Sequence, residues 1–110
     1  MAVGCDDISI AKAINLVIEH KGGLSAVNSL EEKILPLPIA GLMTDNDAYD
    51  TAKQYSELDE FTKHILGSTL TSPFMTLSFM ALLVIPSIKL SDKGLFDGEN
   101  FQFISNFIKD

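Results

Sequence analysis

Two prolines one residue apart, Pro36 and Pro38, constrain this chain more than any other feature. They sit in the stretch Leu35-Pro36-Leu37-Pro38-Ile39-Ala40-Gly41-Leu42-Met43-Thr44-Asp45. Neither proline has an N–H to donate, so the segment cannot be a central strand or the interior of a helix. It must lie at the edge of a sheet or beyond it. Gly41 then ends the extended run and admits a turn. The stretch divides the chain into an α/β unit before it and a helix with a second extended unit after it.

Before the prolines, Met1 to Gly4 reads as the tail of a strand, and Asp6 or Asp7 as an N-cap. Ile10, Ile14, Val17 and Ile18 share one helical stripe, with Lys12 and Glu19 off it. His20 and Lys21 fall in the last turn, and Gly22-Gly23 supplies a left-handed stop. The spacing predicts a helix over 7–21. Strands are predicted over Leu24–Val27 and Glu32–Leu37, paired as a hairpin around Asn28-Ser29.

After Gly41, the Thr44-x-x-Asp47 pattern resembles a capping box with Asp in place of Glu. It predicts a helix over 46–66, with Ala48, Ala52, Tyr55, Leu58, Thr62 and Ile65 inward and Gly67 at its end. Ser72-Pro73 suggests a short helix over 73–81. A buried strand through Leu82–Ile85 remains the alternative, because a continuous apolar run has no diagnostic period. Ile88-Lys89-Leu90 reads as a strand, Asp92-Lys93-Gly94 as a turn and Leu95–Gly98 as a short return. Phe101, Phe103, Ile104 and Phe107 are apolar, the first two at strand spacing. The expected fold is α/β or α+β: a small single domain over 1–110, with about two main helices packed on a mixed β-sheet.

The 110 residues carry a net charge of −7, which argues against a nucleic-acid footprint and against an anionic membrane surface. One cysteine, Cys5, excludes an internal disulfide and a Cys-rich metal site, and suits a reducing cytoplasm. No signal peptide is expected, and the apolar run Phe79–Pro86 is too short to span a bilayer. Apolar residues are 46% and charged residues 21%, a low charge for a surface that faces only water.

No catalytic set is legible. His20 and His64 are isolated, so a metal site lacks ligands. Asp45-Asn46-Asp47 with Asp50 fails the calcium-loop pattern, since Tyr49 stands at the fifth position and no glycine at the sixth. Cys5 has two acidic neighbours and no histidine partner. Gly22-Gly23 ends a helix rather than opening one, which is the wrong polarity for phosphate. Ser68, Thr69, Thr71 and Ser72 have no base beside them. The Gly41–Asp45 loop (Gly41, Leu42, Met43, Thr44 and Asp45) is the candidate pocket or interdomain contact. A plain linker threading under a helix is the alternative.

Three ordered motifs resemble one family. Leu35 through Thr44 closely resembles a signature of the C-terminal domain of bacterial and archaeal adenine deaminases. Ser72-Pro73-Phe74-Met75-Thr76-Leu77-Ser78-Phe79-Met80-Ala81-Leu82 looks like its second motif. Ile85-Pro86 and Lys89-Leu90-Ser91-Asp92-Lys93-Gly94-Leu95-Phe96-Asp97 look like its closing segment. The resemblance covers about residues 4–107. Thr44 stands where Ser is expected, and Asn28-Ser29-Leu30-Glu31 replaces a short glycine turn.

The resemblance implies an origin in the amidohydrolase superfamily and a parent reaction of purine salvage, adenine plus water to hypoxanthine plus ammonia. It implies a divalent metal, manganese or iron, held by a (β/α)₈ barrel upstream of these residues. This chain would be the C-terminal domain alone, cytoplasmic and inactive by itself, with no metal or catalytic residue of its own. Its partner would be the barrel, which it helps to complete at the active-site mouth or in a homo-oligomer. The rival expectations are an assembly module and a free-standing small-ligand-binding domain.

Overall fold

A computed structural model describes residues 1–107. The chain divides into two compact units, residues 2–74 and a second beginning at Met75.

In the first unit, α1 spans Asp7–Glu19. Asp6 caps it, its carboxylate accepting from the Ser9 N–H at 2.8 Å. Residues 1–4 form no strand. The helix stops before the predicted residue 21, because Lys21 already has φ +61° and Gly22 follows at +127°. Its inward face is Ile10, Ala13, Leu16 and Val17, all half-buried. Ile14 and Ile18, predicted inward, are exposed. Lys12, predicted outward, is half-buried: it donates to the Asn28 carbonyl and pairs with Glu32 at 2.9 Å. The helix is rolled from the expected stripe because it is apolar on more than one side, so periodicity alone does not choose the buried face.

Strands β1, Gly23–Val27, and β2, Glu32–Pro36, form an antiparallel hairpin that pairs Leu24 with Leu35 and Ala26 with Lys33. The Asn28 side chain closes the turn, accepting from the N–H groups of Leu30 and Glu31 at 2.8 and 2.7 Å. α1 lies over the hairpin, where the Ser25 hydroxyl donates to the Ala13 carbonyl at 2.9 Å.

Helix α2 spans Ala48–Glu60 and continues as one π-helical turn, Phe61–Ile65. It starts at Ala48 and not at 46, because Asp47 is the cap, accepting from the N–H groups of Tyr49 and Asp50. The predicted capping box does not form: the Thr44 hydroxyl instead accepts from the Asn46 N–H at 3.2 Å. The π-turn also breaks the predicted stripe. Leu58 and Phe61 are buried, while Ile65 is 61% exposed. A wider turn of i→i+5 bonding, seen in Leu66 N–H to the Phe61 carbonyl, rotates the residues after it off the inner face. The core joins Ala26, Leu35, Leu58, Phe61 and Phe74, with Tyr55 edge-on to Phe74 at 6.3 Å.

The 73–85 ambiguity resolves to a helix. α3 spans Pro73–Ala81, and Leu82–Ile85 continues in turns rather than a strand. In the second unit, β3, Ile88–Ser91, β4, Gly94–Asp97, and β5, Gln102–Ile104, form an antiparallel sheet in that order. Phe96 is its buried centre, edge-on to Phe101 and Phe103 at 5.2 Å each. The class is therefore a small mixed α/β fold, with two separate antiparallel sheets in place of one mixed sheet.

Candidate functional site

The proline-stiffened stretch leaves β2 at Pro36 and turns back on itself. Leu37 N–H donates to the Gly22 carbonyl at 3.0 Å, which ties the stretch to the end of α1. Ile39 and Met43 then form an antiparallel bridge, with the Ile39 N–H donating to the Met43 carbonyl at 3.0 Å. The Leu42 and Met43 N–H groups both donate to the Ile39 carbonyl at 3.1 Å. Ala40 and Gly41 occupy the two central positions of this turn with φ of +57° and +74°. Positive φ at both positions is the signature of a type I′ turn. Glycine accepts it freely, whereas Ala40 holds a conformation that costs a residue with a Cβ about 1–2 kcal/mol.

The turn is seated on Gly22. A methyl group there would come 2.4 Å from the Gly41 Cα and 3.0 Å from the Leu37 carbonyl oxygen. The two backbones therefore touch without an intervening side chain. Sequence reasoning treated Gly22 only as a helix stop; its second role has no local signal, because it depends on which backbone arrives opposite.

The predicted loop residues are placed as follows. Gly41 and Thr44 are half-buried and Asp45 is exposed. Leu42 and Met43 are 76% and 56% exposed, at the tip of a hydrogen-bonded turn. An apolar tip on a rigid turn loses little further entropy when it is covered, which suits a contact. Among the described residues, no three His, Cys, Asp or Glu side chains gather as a metal site. His20 faces the Leu16 carbonyl at 2.9 Å, and His64 pairs with Glu60 at 2.9 Å. Cys5 is free and exposed before α1. Among the described residues no helix is long and apolar enough to cross a membrane.

Among the described residues, three helices with two small antiparallel sheets define a mixed α/β domain whose distinctive feature is a seated turn with an apolar tip. The Adenine deaminase C-terminal domain family matches residues 1–102. The chain is 56% identical over 106 residues to the adenine deaminase of a Sulfurovum species, which covers 96% of this chain and 20% of that enzyme. It is 48% identical over 108 residues to the adenine deaminase of Salinibacter ruber, covering 98% of this chain and 20% of that enzyme. The Methanosarcina acetivorans adenine deaminase is 47% identical over 113 residues, with the same one-fifth share of its length. No solved structure matches. The chain belongs to the adenine deaminase C-terminal domain family, and it spans about a fifth of the length of the curated relatives it matches.

Proposed function

We propose that this chain acts as the accessory C-terminal domain of an adenine deaminase. It packs on the catalytic part and helps to shape the active-site mouth or the oligomer, with the Gly41–Asp45 turn as a contact. The observation that carries this reading is the balance of apolar surface. Among the described residues seven apolar side chains are buried, while twenty-three large ones are exposed. Single exposed apolar side chains are ordinary on a folded surface. Leu42 and Met43, however, stand side by side at one tip, and Ile8, Ile14 and Ile18 share one helix. Grouped apolar exposure of this kind fits a cover supplied by other chain. The relatives named above are adenine deaminases, and about four-fifths of the length of each lies outside the segment this chain aligns with.

The metal that the resemblance implies does not fit these residues, because no donor set gathers among those described. Under this reading the divalent metal and its water chemistry belong to the catalytic part, and no step of the deamination passes through this chain's own side chains. The setting is the cytoplasm, where a lone free thiol such as Cys5 persists.

The test replaces the matching segment of the Sulfurovum enzyme with these residues. Leu42→Ser with Met43→Ser is expected to lower kcat/KM for adenine several-fold while the thermal midpoint moves little. Unchanged kinetics would remove the turn from the contact. Manganese-dependent conversion of adenine by the 110 residues alone would overturn the reading.

A further inference from the structure

Helix α1 is apolar on two sides. Of its thirteen residues only Asp7, Ser9, Lys12, Asn15 and Glu19 are polar. Its inward side is already occupied: Ile10, Ala13, Leu16 and Val17 lie on the hairpin, and Lys12 is held by Asn28 and Glu32. The outward side carries Ile8, Ala11, Ile14 and Ile18, spaced to form one strip that Asp7 and Asn15 interrupt only at its first turn and its middle. Ile8 is 81% exposed, Ile14 44% and Ile18 67%. A helix that is apolar on both sides is characteristic of one covered on both sides.

We infer that the outward face of α1 is the seat of the catalytic part of an adenine deaminase. This rests on the reading above and goes further, because it names a surface distinct from the Gly41–Asp45 turn. Two observations choose the occupant. First, in the relatives the matched segment is a C-terminal domain, so their remaining four-fifths joins it on the side of residues 1–4. Those residues are exposed and lead directly into α1, with Val3 at 77%. A body tethered within a few residues of this face is present at about millimolar effective concentration. Second, the strip is small. Thirteen residues make a helix about 20 Å long, so one face offers roughly 200 Å². A stable complex of separate chains buries about 800 Å² on each partner. A tethered body needs far less than a second copy does.

The test uses thiol accessibility in a Cys5→Ser background. Ile18→Cys is read in the 110-residue chain and in the same residues joined to the catalytic part of the Sulfurovum enzyme. Gln54→Cys, on the polar side of α2, serves as the control for reagent and folding. Labelling at Ile18→Cys is expected to slow at least about tenfold in the joined protein, with Gln54→Cys unchanged, because a covered thiol reacts only through local opening. Equal rates for Ile18→Cys in the two proteins would overturn the inference. If Leu42→Cys is slowed in that same joined protein, the accessory reading stands and only the α1 surface falls. If neither is slowed, both fall. Protection of Ile18→Cys that grows with concentration in the 110-residue chain, with a dimer in sedimentation, would assign the face to a second copy and overturn the inference too.

Discussion

Gly22 and Gly41 meet backbone to backbone: a methyl built on Gly22 would stand 2.4 Å from the Gly41 Cα. The helix stop and the tip-bearing turn are thus one structural element, although they are far apart in the chain. The two glycines are not equivalent. A methyl on Gly41 would stand 4.0 Å from the Gly22 Cα, at ordinary contact distance. Gly22→Ala therefore meets both a left-handed φ and a backbone clash, and is expected to cost about 3 kcal/mol or more. Gly41→Ala meets only the φ penalty, about 1–2 kcal/mol. Urea midpoints of the two variants check the order; equal losses would show that the backbones do not touch.

The π-turn makes a second prediction. Leu58 is 2% exposed and Ile65 is 61% exposed, though a regular helix would put both on one face. Leu58→Ala should cost about 3–4 kcal/mol, as a buried cavity does. Ile65→Ala should cost under about 0.5 kcal/mol. A large loss at Ile65 would mean that the helix continues with regular winding.

The cap of α2 makes a third. Asp47→Ala removes the acceptor for the Tyr49 and Asp50 N–H groups and should cost about 1 kcal/mol. Thr44→Val removes one exposed hydrogen bond and should cost less than half of that. Thermal midpoints separate the two; a larger effect at Thr44 would restore the capping box.

Acid titration makes a fourth. The Ser9 backbone N–H holds the Asp6 carboxyl below its ordinary value of 3.8. A carboxyl lowered on folding adds stability that is complete above the unfolded value and is lost as pH falls through the folded one. Asp6→Ala is therefore expected to be less stable than the native chain at pH 7. The gap should narrow as the pH drops below about 3.8. A gap that stays constant down to pH 2 would assign the whole effect to the uncharged cap.

Much of the fold is legible in local chemistry. The Asn28 turn, the hairpin, the stop after α1, the start of α3 at Ser72-Pro73 and the strand at Ile88 all follow from short-range preferences of the residues themselves. The loop was also legible, because two prolines and a glycine forbid regular structure there. The motifs in it and after it were enough to point to the family.

The rest depended on what arrives from elsewhere in the chain. Lys12 is half-buried because Asn28 and Glu32 stand across from it. Ile14 and Ile18 are outward because a helix apolar on two sides is oriented by its neighbour, not by its own pattern. Ile65 is outward because a π-turn, invisible to a 3.6-residue period, shifts the register after Phe61. Gly22 carries the turn because Gly41 packs on it. Sequence by itself determined where backbone hydrogen bonding must begin, stop and turn, since these are properties of single residues and their near neighbours. Tertiary structure alone decided which apolar faces are spent inside the domain and which are left exposed, since burial is a property of two surfaces at once.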